Sequence, residues 1–167
     1  MIYTLWCIKK VSNIKNFISV SIWVALLQFV GFGLGQITHS NISWYHSIYK
    51  SCLTPPSIIF TVVWTMLYVV IALVGNFLWR YRDEPKAKEI WTLYIIQLLL
   101  NWAWTIIFFE FHLVFIAFLL IVIIVLINMN IVLKAKKRYY FAANMTVPCL
   151  IWLVFAGYLN FMIWILN

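Results

Sequence analysis

Apolar residues run in five long blocks along this chain, and nearly all of the charge lies in the short segments between them. The blocks cover residues 17–37, 57–80, 90–109, 113–133 and 140–166. Each is long enough, as a helix, to cross a hydrocarbon layer about 30 Å thick. The third and fourth need an argument, because apolarity is nearly unbroken from Glu89 to Leu133. A single helix there would be roughly 68 Å long at 1.5 Å per residue, so the stretch must fold back. Glu110-Phe111-His112 is where polar groups let it turn in water. Thr54-Pro55-Pro56 opens the second block, since threonine is a fair N-cap and a first-turn proline sacrifices no intrahelical hydrogen bond. Pro85 stops the second helix from continuing, and Pro148 is expected to kink the fifth or leave one carbonyl unpaired. The pattern predicts an all-α integral membrane protein: one five-transmembrane-helix bundle over residues 1–167, with a longer outer loop at 38–56.

Charge gives the bundle a direction. The N-terminal segment carries Lys9, Lys10 and Lys15, on the same side as the second and fourth connections. Those connections hold Arg80, Arg82, Lys86 and Lys88, then Lys134, Lys136, Lys137 and Arg138. Of the twelve basic residues only Lys50 falls on the other side. Basic connecting segments stay cytoplasmic, so the N-terminus is expected inside and the C-terminus outside. The lysines before the first block imitate a signal peptide, but the block is long and lacks a small-x-small cleavage site, which favours a retained span. No Arg/Ser-rich transit segment is seen, and a bacterial cytoplasmic (inner) membrane is the expected location.

Composition narrows the function. With 167 residues, 66% hydrophobic and a mean hydropathy of +0.99, five helices leave no room for a soluble domain. The net charge of +8 borders apolar spans, where topology and anionic lipid account for it, so no nucleic-acid partner is expected. Cys7, Cys52 and Cys149 are odd in number and far apart, forming neither a disulfide framework nor a metal cluster. The acids Asp83, Glu84, Glu89 and Glu110 all lie at connections. Ion-coupled pumps need intramembrane ionisable groups, and hydrolysis needs paired acids, an activated serine or a zinc motif. No catalytic or metal residues are expected, and His39 and His46 read as exposed loop histidines. No repeat is visible, and an odd helix count argues against the two-halves design of many transporters.

What remains is a layer of aromatic and amide side chains. Counted from the outer helix ends, Gln28, Trp64, Asn101 and Ala156 lie at one depth, roughly 12–14 Å down. Tyr68, Gln97 and Trp152 lie deeper, and Trp104 and Asn160 shallower. Gln97, Asn101, Trp104 and Phe108 share a helix face, as do Trp152, Ala156 and Leu159. These residues predict an aromatic-lined cavity for a flat, largely apolar ligand. Plainer readings stand beside this one. Trp79, Trp91, Tyr139, Tyr140 and Trp164 suit interfacial belts, and on spacing alone Gln97 and Asn101 serve equally well as interhelical glue. Gly31 and Gly35 form a G-x-x-x-G, read as close packing within the bundle.

The same residues carry a resemblance. Leu93-Tyr94-x-x-Gln97-Leu98-x-Leu100-Asn101-Trp102-Ala103-Trp104-x-x-Ile107-Phe108-Phe109 resembles the third-helix signature of the translocator protein family. That family is also called TspO/MBR, tryptophan-rich sensory proteins or peripheral-type benzodiazepine receptors. Pro148-x-Leu150-x-Trp152-x-x-Phe155-Ala156-x-x-Leu159-Asn160-x-x-x-Trp164 resembles its fifth-helix signature. Trp44-Tyr45, Lys50, Pro55-Pro56 and Val63-Trp64-x-x-Leu67-Tyr68 are similar to its first loop and second helix. The resemblance implies a bundle, often a homodimer, that binds porphyrins such as protoporphyrin IX and isoquinoline or benzodiazepine drugs, with no covalent cofactor. It implies a lining of Tyr45, Trp64, Tyr68, Asn101, Trp104, Phe108, Trp152, Phe155 and Ala156, with Trp44 in a lid. Two departures stand out. The loop reads Lys50-Ser51-Cys52-Leu53 where the family has Lys-Pro-x-Trp. The end of the fifth helix lacks the tyrosine and basic residue of the proposed cholesterol consensus. The expectation is a membrane receptor for tetrapyrroles and flat drug-like ligands, sensory or regulatory in tetrapyrrole or stress responses. A transporter of such ligands and a light-dependent porphyrin-degrading protein are the rivals.

Overall fold

The computed structural model describes the backbone from Ile2 to Asn167 and the side chains from Ile14 onward, so Cys7, Lys9 and Lys10 lie outside the described side chains. It is all-α. Helix α1 spans Ile2–Ser40, α2 Ile42–Ser47, α3 Ser57–Arg80, α4 Pro85–Thr105, α5 Val114–Ala135 and α6 Tyr140–Leu166. A π-helical turn, Ile106–Glu110, extends α4. Five of the helices (all but α2) are long and apolar enough to cross a membrane. Their outward faces carry Phe17, Phe29, Phe32, Met66, Leu126 and Ile151, all exposed, which only a lipid solvent makes favourable. The chain is a multi-pass membrane protein.

Local chemistry explains where the helices begin and end. Pro85 sits in the first turn of α4, where a missing N–H costs nothing, so it starts this helix as well as closing the previous loop. At the other end the α4 ladder widens. The Phe111 N–H donates to the Ile106 carbonyl at 3.1 Å and the Leu113 N–H to the Ile107 carbonyl at 3.1 Å. His112 between them adopts a left-handed φ of 56°, a conformation that turns the chain back while the last carbonyls stay bonded. Helix α6 continues on both sides of Pro148.

Around the bundle, α1 packs on α3, α3 on α6, α6 on α5 and α5 on α4, and α4 with its π turn closes the ring against α1. Glycines permit the tightest approaches. A Cβ on Gly31 would lie 2.8 Å from the Tyr68 ring, whereas one on Gly35 would meet nothing within 4 Å. Of the two glycines, only Gly31 therefore serves the α1–α3 seam. The Gln28 amide adds a hydrogen bond to the Thr65 carbonyl across that seam, 2.9 Å. Gln28 is interhelical glue.

The basic end is tied together by side chains. Arg138 pairs with Glu84 at 2.7 Å and Lys134 with Glu89 at 2.7 Å. The Tyr139 hydroxyl also donates to Glu84, 2.8 Å, and burial, reinforced by that carboxylate, pushes its pKa up. Arg80 donates to Asn76, which donates to Ser19 of α1. Trp79, Tyr140 and Trp164 point outward as belt residues do. Trp91 and Tyr139 do not: Trp91 stacks on Tyr94 at 5.3 Å and meets Trp23 edge-on at 5.9 Å, and Tyr139 is buried. These two belong to the core.

Candidate functional site

The end opposite the basic loops is closed by α2, a six-residue helix whose aromatic side chains pack down onto the π turn. Phe108 is the centre of this packing at 2% exposure. Trp104 stacks on it at 5.0 Å, Trp44 meets it edge-on at 5.5 Å and Tyr45 approaches at 6.3 Å. Trp44 also stacks on His112, 3.9 Å and 19° between planes. Polar contacts pin the lid at its ends. The Asn41 amide donates to Glu110 at 3.0 Å. The Lys50 ammonium donates to the Tyr45 and Ile48 carbonyls at 2.5 and 2.8 Å, satisfying carbonyls that the end of α2 leaves orphaned. Tyr49 and Asn167 exchange two hydrogen bonds of 3.0 Å, which fastens the loop to the end of α6. Ser51 and Tyr158 lie 3.1 Å apart, hydroxyl to hydroxyl. Burial raises the Tyr45 pKa, and loss of hydration lowers that of Lys50.

A second aromatic group lies on the adjacent helices α3 and α6. Trp64 and Tyr68 are 5.9 Å apart on α3; Trp152 and Phe155 are 5.6 Å apart on α6, with Phe60 edge-on to Trp152 at 5.7 Å. Ala156 is buried on the same face of α6 as Trp152. The ten expected lining residues thus divide into a lid group (Trp44, Tyr45, Trp104, Phe108), an α3/α6 group (Trp64, Tyr68, Trp152, Phe155), and the buried pair Asn101 and Ala156. No aromatic contact joins the first two groups among the described residues.

The polar atoms in this region are unevenly satisfied. Trp104 donates its indole N–H to Asn160 at 3.1 Å, and Asn160 donates to the Val114 carbonyl at 2.9 Å. That bridge locks α4, α5 and α6 together. By contrast, the indole nitrogen of Trp152 is buried with no hydrogen-bond partner among the described residues, and that of Trp102 is buried facing the Tyr68 hydroxyl, short of a fully formed bond. Asn101 is 4% exposed and its carboxamide makes no hydrogen bond among the described residues. Gln97, one turn away, receives the Asn128 amide at 3.5 Å and belongs to a deeper polar cluster. An unpaired donor in an apolar interior is costly, so the Trp152 indole and Asn101 are the groups with capacity left for a guest.

Some of these residues escaped the sequence pattern. Phe60 had a signal, since it precedes Trp64 and Tyr68 at four-residue intervals on one helix face. Trp102 had none, because its position is rotated about 100° from Asn101 and off the expected face. His112 enters through its backbone conformation. It also lines an open hollow of about 420 Å³ with Trp44, Ile48, Phe115, Ile163 and Trp164, which shares only Trp44 with the expected lining. Among the described residues no group of three or more His, Cys, Asp or Glu side chains comes together.

Comparison with known proteins bears on the whole arrangement. The profile of the TspO/MBR family matches residues 23–165. The chain is 30% identical over 161 residues to the Tryptophan-rich protein TspO of Chlorobaculum tepidum, covering 92% of this chain and 98% of that one. It is 29% identical over 143 residues to the Tryptophan-rich protein TspO of Archaeoglobus fulgidus, covering 83% and 90%. To the Translocator protein of Ovis aries it is 28% identical over 134 residues, covering 79% of each.

Proposed function

The chain belongs to the TspO/MBR family, and on that premise we propose that it is a membrane receptor for porphyrins, protoporphyrin IX among them, and for other flat apolar ligands. The observation that carries this reading is the buried indole N–H of Trp152, without a partner among the described residues and set among the rings of Phe60 and Phe155. Rings supply apolar area and stacking for a planar guest, worth about 0.5–1.5 kcal/mol per aromatic pair beyond burial. The Trp152 N–H and the Asn101 carboxamide supply direction, because a ligand nitrogen or oxygen would satisfy groups the protein leaves unpaired. Trp104 contributes a ring face only, its N–H being held by Asn160. Helix α2 packs on Phe108, in the other aromatic group. Lys50 is engaged by backbone carbonyls, and ligand carboxylates would remain in water beside the lid. In this reading the basic end is cytoplasmic, the lid faces outward, and the membrane is a bacterial inner membrane.

The test is a titration with protoporphyrin IX followed by tryptophan quenching, on wild type, Trp152→Ala and Asn101→Leu. Each variant should bind roughly tenfold more weakly, the equivalent of about 1.4 kcal/mol, while far-UV circular dichroism stays unchanged. Unaltered affinity in both folded variants would remove the site assignment.

A further inference from the structure

Below the aromatic groups, between α3, α4, α5 and α6, lies a small cavity of about 10 Å³. Tyr94, Gln97, Asn128 and Thr146 reach it with polar side chains, and all four are buried, at 1, 4, 3 and 5% exposure. Empty cavities in proteins are apolar, whereas a polar void of roughly 10–15 Å³ with two to four partners holds one water. We propose that this cavity binds a single water molecule, which serves as the hydrogen-bonding junction of four membrane-spanning helices.

The donors and acceptors can be assigned one by one. The Asn128 Nδ2 donates to the Ile124 carbonyl at 2.9 Å, which fixes the orientation of its carboxamide and leaves Oδ1 as an acceptor. Gln97 Oε1 receives Asn128 Nδ2 at 3.5 Å, so Gln97 Nε2 remains a donor. The Tyr94 hydroxyl spends its proton on the Ile71 carbonyl at 3.0 Å, and the Thr146 hydroxyl spends its own on the Ala142 carbonyl at 2.8 Å. Both oxygens are then acceptors only. Among amides and hydroxyls the site offers one donor, Gln97, and three acceptors, Asn128, Tyr94 and Thr146; the Cys149 thiol on the same wall is only a weak donor or acceptor. Water accepts from Gln97 and donates to two of the three, which a cation could not do with that amide N–H.

The experiment uses the full chain in lipid nanodiscs with glutamine side chains and tryptophan indoles labelled with nitrogen-15. The Gln97 amide signal is assigned by its loss in Gln97→Leu, and magnetisation transfer from water to that amide is recorded. The expected result is a long-lived water contact at Gln97 Nε2 in the wild type, lost in Asn128→Leu/Thr146→Val while the Trp152 indole signal stays in place. No water contact in the wild type, or one that persists in the folded double variant, overturns the proposal. Should the double variant fail to fold, the wild-type spectrum and the single variant Thr146→Val decide it by the same criteria.

Discussion

Asn160 is the most economical place to test how this bundle is held. It is 2% exposed, accepts from the Trp104 indole at 3.1 Å and donates to the Val114 carbonyl at 2.9 Å. Replacing it with leucine keeps the same branched arrangement of four side-chain heavy atoms, with bulkier ends, and removes both bonds. The two losses are unequal. The Val114 carbonyl, in the first turn of α5, retains the ordinary helical bond from four residues on, but the Trp104 N–H has nowhere else to go. Interhelical hydrogen bonds in membrane bundles contribute about 0.6 kcal/mol on average and about 1.7 at most, so Asn160→Leu should cost about 1–3 kcal/mol. Equilibrium unfolding in mixed micelles measures this, and a double-mutant cycle with Trp104→Phe separates the indole bond from the rest. Its coupling energy should be about 0.6–1.7 kcal/mol. If Asn160→Leu costs the same in both backgrounds, to within about 0.3 kcal/mol, then the bond drawn here does not stabilise the fold, and the assignment of the Trp104 N–H as occupied fails with it.

Two further outcomes follow from particular positions. Gly31→Ala should destabilise by about 1–3 kcal/mol through overpacking, since its Cβ would press on the buried Tyr68 ring; Gly35→Ala should be nearly neutral, and thermal melts of the two variants compare them directly. In a Cys7→Ser background, Cys52 is exposed at the lid end and Cys149 is buried, so a membrane-impermeant maleimide should label Cys52 alone on intact cells. Labelling that appears only after the cells are opened would reverse the proposed orientation.

The five spans were legible because apolar length is a one-dimensional property: a run from Glu89 to Leu133 is too long for one helix whatever its neighbours are. Rotation about each helix axis is not written that way. Gln28, Gln97 and Asn101 all read as amides in or near one polar layer, yet Gln28 bonds the α3 backbone, Gln97 joins Asn128, and Asn101 has no partner among the described residues. What separates them is the partner helix each one faces, which depends on how α3 to α6 pack. Trp91 and Tyr139 sit where an interfacial belt would place them, and only the neighbouring Trp23, Tyr94 and Glu84 draw them inward. The π turn had no pattern in Ile106-Ile107-Phe108-Phe109-Glu110 to announce it. It depends on the left-handed His112 and on the packing of Phe108 under α2.

Glu84 has a consequence for traffic through the molecule. One carboxylate holds both Arg138 and Tyr139, so the loop between α3 and α4 is stitched to the loop between α5 and α6 across the mouth of the bundle. A guest lodged among the indoles, as proposed above, would meet this sewn seam on the side of the basic loops. Under that proposal, passage on to the opposite compartment would require Glu84 to release both partners on every cycle.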